Sequence, residues 1–351
     1  MTSIDYKIID FDPFSISEEY LEKYFDLDDK AVKEIDPEDE NYPYELQKKM
    51  IQTKNPESDT YRWLLVTNNE HVFGYARVTF VTPKANNYEN TKHTAGVDIY
   101  IDKEYRRKGF GTRLFKKILE KINEHGKISN AIASQVNVIG DKFCEKYKGK
   151  VIQEEAEYRA YLSEIDWSLI ENWKNAGVQL AEKERVKLES FEHCPEQLIE
   201  EYCKIYTETL NQRPLGDIEI RHRITPESRR SHEKTWIDER SHKWHTIISI
   251  ESDGTISGLT EMVYIPESPT YIEQLLTGVR EQFRGRGIGK WLKAEMALFI
   301  KNRYPEIQFI LTDNADVNDP MLSINNRMNF KQTHILKTYN FDIEELNDLI
   351  K

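Results

Sequence analysis

Cysteine is scarce in this chain of 351 residues: Cys144, Cys194 and Cys203 are the whole complement. Three cysteines at irregular spacing exclude a disulfide framework and a C-x-x-C zinc site. They point to a reducing, cytoplasmic compartment. The nine histidines show no H-x-x-x-H or similar ligand spacing, so no metal is expected. No run approaches the ~18 apolar residues of a membrane span, and the opening MTSIDYKIIDFDP has no apolar signal core. Positive charge is in deficit, with 49 Lys and Arg against 61 Asp and Glu. That balance argues against nucleic acid as the main partner.

Glycine is also sparse, 15 residues in all, yet five fall in two short stretches of one design. The first is Arg106-Arg107-Lys108-Gly109-Phe110-Gly111 and the second is Arg284-Gly285-Arg286-Gly287-Ile288-Gly289. Thus both read R-x-x-G-x-G, follow a β-branched apolar run and open onto a helical pattern. Amides in the first turn of a helix have no internal partner, and the helix dipole adds partial positive charge there. Glycines let an anion approach those amides. The design suits a pyrophosphate. It is neither a P-loop, since Lys290 is followed by Trp291, nor a G-x-G-x-x-G dinucleotide fingerprint.

The length suits two domains at about 150 residues each. The pattern predicts a strand at 6–11, helices at 16–35 and 43–52, and a hairpin over 61–66 and 72–81. A strand at 94–101, a helix at 109–122, a strand at 130–136 and a short helix at 139–147 follow, with a strand at 151–162 closing the unit. Residues 163–185 read as a partly helical connector. The order then recurs: strand 186–191, helices 195–210 and 226–240, hairpin 244–251 and 256–265, strand 271–279, helix 287–303, strand 307–311, helix 320–328, strand 331–339. Pro195 is expected near the first turn of its helix. The expected domains are 1–165 and 186–351, joined by 166–185. A repeated element order indicates duplication.

These residues resemble the GNAT superfamily of acyl-CoA-dependent N-acetyltransferases in a tandem two-domain form, with the mycothiol synthases as distant relatives. Each loop matches that family's Q/R-x-x-G-x-G/A signature. The segment from Asn314 to Phe330 looks like its closing N-x-x-x-N-x-x-M-x-x-x-N-x-x-L-G-F stretch. The resemblance implies an α/β (α+β) chain of two GNAT-like domains. Each is a mixed, mostly antiparallel twisted sheet, split to hold CoA and flanked by helices. It implies acetyl-CoA as cosubstrate, with its pyrophosphate on Arg284, Gly285, Arg286, Gly287, Ile288, Gly289 and Lys290. The first-half counterparts are Arg106, Arg107, Lys108, Gly109, Gly111 and Thr112. A strand N–H, of Val279 or Ile101, would polarise the thioester carbonyl. Asn318 would contact pantetheine, cap the following helix, or do both.

Acetyl transfer needs a neutral amine. An alkylamine with pKa near 10.4 lies ~3.4 units above neutrality, roughly 4.6 kcal/mol, so a base matters. In histone-acetylating relatives a glutamate stands eleven positions before the signature; here that position is Glu273 in the second half and Ala95 in the first. Simple alternation puts Glu273, Leu275, Thr277 and Val279 on one strand face. Glu261 on the preceding strand is a second candidate base, and Asp98 in the first half stands at the wrong spacing. Against these, each is also readable as a plain solvated carboxylate. Many relatives protonate the leaving thiolate with a tyrosine; Asn325 and Cys144 occupy that place here. A thiol with pKa near 8.5 costs only about 2 kcal/mol to leave unprotonated, so the acid is dispensable. Asn325 remains a candidate for bonding the sulfur, and Tyr147 and Tyr339 are candidate acids.

The expected function is direct transfer from acetyl-CoA to a primary amine in a ternary complex, catalysed by the second half. The rivals are a non-catalytic acyl-CoA-binding sensor or scaffold, and activity residing in the first half. A small-molecule or peptide amine is the expected partner, with no nucleic acid and no membrane; a homo-oligomer stays open.

Overall fold

The structure, a computed structural model, describes residues 4–37, 41–85, 87–135, 137–212, 222–315 and 319–350. The chain runs β1 (Tyr6–Asp10), α1 (Glu18–Ile35), α2 (Tyr44–Gln52), β2 (Ser58–Thr67), β3 (Val72–Val81), α3 (Tyr88–Thr91), β4 (Thr94–Ile101), α4 (Phe110–His125), β5 (Asn130–Gln135), α5 (Val138–Lys146) and β6 (Lys150–Tyr161). It continues α6 (Trp167–Glu184), β7 (Lys187–Phe191), α7 (Ile199–Leu210), α8 (Pro226–His232), β8 (Lys243–Ile250), β9 (Ile256–Tyr264), β10 (Tyr271–Val279), α9 (Ile288–Arg303), β11 (Phe309–Ala315), α10 (Asp319–Arg327), β12 (Lys331–Asp342) and α11 (Ile343–Leu349).

Two compact units emerge. The first takes the chain up to Gln153 and again from Leu336; the second takes described residues from Glu154 to Ile335. In the first, the strand order is β1-β2-β3-β4-β5-β12, antiparallel except for β4 with β5. In the second it is β7-β8-β9-β10-β11-β6, antiparallel except for β10 with β11. The mixed, mostly antiparallel sheets are those anticipated. The closing strands are exchanged. β6 was expected to close the first unit; instead Glu155–Tyr161 pair with β11, and Lys337–Asp342 pair with β5. The reason lies in burial. Ala156, Tyr158 and Ala160 of β6 join the core of the second unit, while Tyr339, Phe341, Ile343 and Leu346 join that of the first.

Each sheet is covered on both faces. In the first unit α4 buries Phe110, Leu114, Phe115, Ile118, Leu119 and Ile122 on one side. Helix α1 buries Leu21, Tyr24, Phe25 and Leu27 on the other. In the second unit α9 packs on one face and α7 on the other, through Tyr202, Ile205, Ile248 and Leu259. The expected connector is largely an 18-residue helix, α6, capped by Asp166. It docks on α9, where a Cβ on Gly177 would lie 2.1 Å from the Trp291 ring. Pro195 is not in a helical turn: α7 starts at Ile199, and Pro195 instead accepts the Leu198 N–H in a tight turn. The helix from Pro226 passes into a π-helical stretch at Glu233–Glu239, and α11 had no counterpart in the sequence reading.

Candidate active site

Strands β10 and β11 pair in parallel over Tyr271↔Phe309, Ile272↔Ile310 and Glu273↔Leu311, and no further. β10 continues to Val279 and β11 to Ala315, so the two part beyond Glu273. The first unit repeats this: β4 and β5 pair over Thr94↔Asn130, Ala95↔Ala131 and Gly96↔Ile132, then separate. The split expected of each sheet is present in both.

Backbone direction follows from the ladders. Arg280 N–H donates to Ser257 O at 2.9 Å, marking a hydrogen-bonded pair of the β9–β10 ladder. Such pairs alternate. Val279, one residue back and opposite Gly258, therefore turns its N–H away from β9 and into the split. In the first unit Asp102 N–H donates to Phe73 O at 2.9 Å, so Ile101, opposite Gly74, does the same.

Both basic glycine loops take one shape, 178 residues apart (Arg106 to Arg284). Gly109 and Gly287 each stand at a helix N-terminus with φ of 85° and 89°, and neither helix has a side-chain cap. The amides of residues 288–290 are therefore free of intrahelical and capping bonds. Around Gly285 and Gly287 a Cβ would meet nothing within 4 Å. The loop presents bare backbone to solvent. Where the second loop has Gly285 (φ 81°), the first has Arg107, held at φ 62°. A left-handed non-glycine residue costs about 1–2 kcal/mol.

The charged side chains are less free than their spacing suggests. Arg284 donates Nε to Val279 O at 3.2 Å, and Arg106 donates Nε to Ile101 O at 2.7 Å. In each loop the leading arginine ties the loop to the end of its strand. Arg106 also pairs with Glu34 at 2.6 Å. Arg286 is held by Glu184 and by Glu251, with its Nη1 2.9 Å from the latter. Lys108 donates to Glu104 O, and Thr112 accepts from Tyr147 Oη at 2.7 Å. Lys290 makes no ion pair among the described residues, and Ile288 and Gly289 lie in the first helical turn. Asn318 lies outside the described residues.

Glu273 sits on the last rung before the strands part. Crowding by surrounding protein raises its pKa, and Asp313 and Glu157 on the neighbouring strands add to the rise. Its exposure at the apex of the split leaves it accessible to an incoming group. Alternation does not run straight to Val279, however. A β-bulge lies between Gln274 and Thr277, where three steps on β10 face two on β9. Gln274 Nε2 and Thr277 Oγ1 both bond Thr260 Oγ1, at 3.0 and 2.7 Å, so their side chains share a face. Glu273 and Thr277 consequently point to opposite faces, against expectation. β4 has no bulge: its pairing with β3 is unbroken from Ala95 to Ile101. By register the counterpart of Glu273 is therefore Gly96, opposite Thr79 as Glu273 is opposite Val263.

Glu261 is fully buried, with Oε1 committed and Oε2 without a hydrogen-bond partner. Its Oε1 accepts from Arg229 at 3.1 Å, from Thr246 at 2.8 Å and from Tyr202, in a cluster that also holds Glu233. That is charge neutralisation inside the fold, without access for an incoming proton donor. Asn325 is fully buried on α10, and neither Oδ1 nor Nδ2 has a hydrogen-bond partner. Its neighbour Ile324 lies 3.8 Å from where a Cβ on Gly289 would be, so α10 lies against the start of α9. An unsatisfied buried amide costs ~1–3 kcal/mol. In the first unit Cys144 is buried, which lifts its thiol to about 12, and Tyr339 donates to Asp141 at 2.5 Å.

Residues 18–149 match the model of the acetyltransferase (GNAT) family. No curated protein matches the chain. Among solved structures, a tandem GNAT protein from the clavulanic acid biosynthesis pathway is similar at TM-score 0.74 and 17% identity, covering 97% of this chain and 99% of that one. A GCN5-related N-acetyltransferase from Sphaerobacter thermophilus gives TM-score 0.66 and 14% identity over 96% of both chains. N-myristoyltransferase of Saccharomyces cerevisiae, solved with myristoyl-CoA, gives 0.54 and 10% over 96% of this chain and 79% of that one. The class of fold is thereby defined: it is that of the GNAT proteins. More particularly, the first half carries a GNAT acetyltransferase domain, and the whole chain has the tandem GNAT fold.

Proposed function

We propose that the second unit transfers an acetyl group from acetyl-CoA to a primary amine. The observation that carries this is the split of β10 from β11, with Glu273 at its apex and the Val279 amide turned into it. The residues fit the cosubstrate. Uncapped amides at 288–290, behind two left-handed glycines, suit a diphosphate, and Lys290 adds charge. The Val279 N–H supplies an oxyanion-type donor for the thioester carbonyl. The buried, unpartnered amide of Asn325 suits a polar group of the acyl-carrying arm.

In the reaction the amine nitrogen attacks the thioester carbon, the C–N bond forms, and the C–S bond breaks. Glu273 takes the amine proton, and its raised pKa brings it towards the range a general base needs. The thiolate leaves without a dedicated acid.

Calorimetry with acetyl-CoA, followed by release of free thiol on adding an amine, tests the proposal. Binding with amine-dependent thiol release supports it; binding without release makes the protein an acyl-CoA sensor. The family match over residues 18–149 favours a second reading, in which the first unit catalyses. Loop substitutions in each unit separate the two.

A further inference from the structure

Beneath the β10 bulge runs a chain of buried polar side chains with no part in the chemistry above. Lys293 of α9, 1% exposed, donates Nζ to Gln274 Oε1 at 2.9 Å. Gln274 Nε2 donates to Thr260 Oγ1, which in turn bonds Thr277 Oγ1. Thr312 Oγ1 donates to Gln274 O at 3.0 Å, just past the last β10–β11 rung. Gln274 is thus bonded from three sides, at the point where its strand leaves its neighbour.

The bonds and the bulge require each other. In a straight strand residues 274 and 277 would face opposite ways, and one hydroxyl of Thr260 could not reach both. The extra residue turns them to one face. The first unit supplies an internal control. By register, Thr260 corresponds to Ala76, Gln274 to Val97 and Thr277 to Ile99. Lys293 corresponds to Phe115 through the common 178-residue offset of α4 and α9. All four counterparts are apolar, and β4 is straight. Lys293 makes no ion pair among the described residues, and burial pushes its ammonium down to about 7. Burying such a group is costly; it is held by its bond to Gln274 and by the Phe330 ring, 5.2 Å from Nζ.

We propose that Lys293 and Gln274 are positioning residues. With Thr260 and Thr277 they hold the β10 bulge and so fix the path of residues 274–277 as β10 leaves β11. The consequence for catalysis rests on reading that split as the acyl-CoA cleft; the structural claim does not.

The test uses the full chain with Lys293→Met and Gln274→Met, singly and together. Hydrogen exchange over residues 274–279 is measured in the free protein, and acetyl-CoA affinity by calorimetry. Each single variant should speed exchange there by roughly tenfold and weaken acetyl-CoA binding by a similar factor. The double variant should do no more than either single one, since both cut the same chain. Thr260→Ser should match the parent and Thr260→Ala the single variants, which keeps the test decisive if a methionine variant fails to fold. Unchanged exchange over 274–279 in the single variants, or effects that multiply in the double, would overturn the proposal. If the parent itself gives no heat with acetyl-CoA, the cleft reading falls, while the exchange data still judge the bulge.

Discussion

Strands β4 and β10 occupy the same place in two sheets of the same order, yet one is straight and the other bulged. The straight strand presents Gly96 at the apex of its split; the bulged one presents Glu273. The straight strand is backed by Phe115 and the bulged one by Lys293. What duplication preserved is the frame: the split, the inward amide, the uncapped helix. What differs is the chemical equipment at the apex. The proposed diphosphate site draws only on the parted sheet and the bare helix start, whereas the proposed proton transfer draws on the carboxylate as well.

The largest effect should come from the loops. Gly287→Glu forces a side chain into a left-handed residue and sets a carboxylate against the diphosphate. Thiol release should fall by about 100-fold or more, while Gly109→Glu stays within about twofold of the parent. The reverse pattern in a thiol-release assay would move catalysis to the first unit. Next, Glu273→Gln should lower kcat by about 10²–10³ with little change in KM for acetyl-CoA. Glu273 must be ionised to act, so its raised pKa places the acid limb of the parent's pH–rate profile above the ordinary carboxylate range. That limb should vanish in the variant; an unaltered limb would assign it to another group. A smaller effect, on stability, is expected for Gly177→Ala. Its methyl group would overlap the Trp291 ring and should cost about 1–3 kcal/mol, read as a lowered Tm by calorimetry. The smallest effect sharpens the comparison most. Gly96 has room for a side chain, with the nearest atom 3.9 Å from its Cβ. Gly96→Glu should nonetheless leave total turnover within about twofold of the parent, because β4 lacks the bulge.

Much of this was legible in the residues. The twin loops, their helices and the strand before each are local features, set by glycine, charge and apolar spacing, and they stand where the spacing put them. Glu273 was locatable by its distance from the loop, and its apex position is consistent with that. The bulge was hidden because Leu275 and Leu276 carry no turn chemistry; it shows only once Thr260 is seen to bond two residues of β10. One sign did exist: Lys293 falls on an inward position of α9, among Trp291, Leu292, Ala294 and Met296. The fate of Arg286 depended on Glu184 and Glu251, both distant in sequence, and no loop motif encodes them. The exchange of closing strands was equally opaque, since the alternation in β6 and β12 says only that each covers some core.

That exchange bears on how the chain is made. Domains generally fold as they leave the ribosome, the N-terminal one first. Here the first unit lacks its sixth strand, and the cover of Ile343 and Leu346, until residues 337–346 have been synthesised. Nascent β5 must wait with an open edge until β12, made after most of the second unit, is available to pair with it. A stop codon just after Ile335 would strip the earlier-made unit of its sixth strand while sparing the unit made after it.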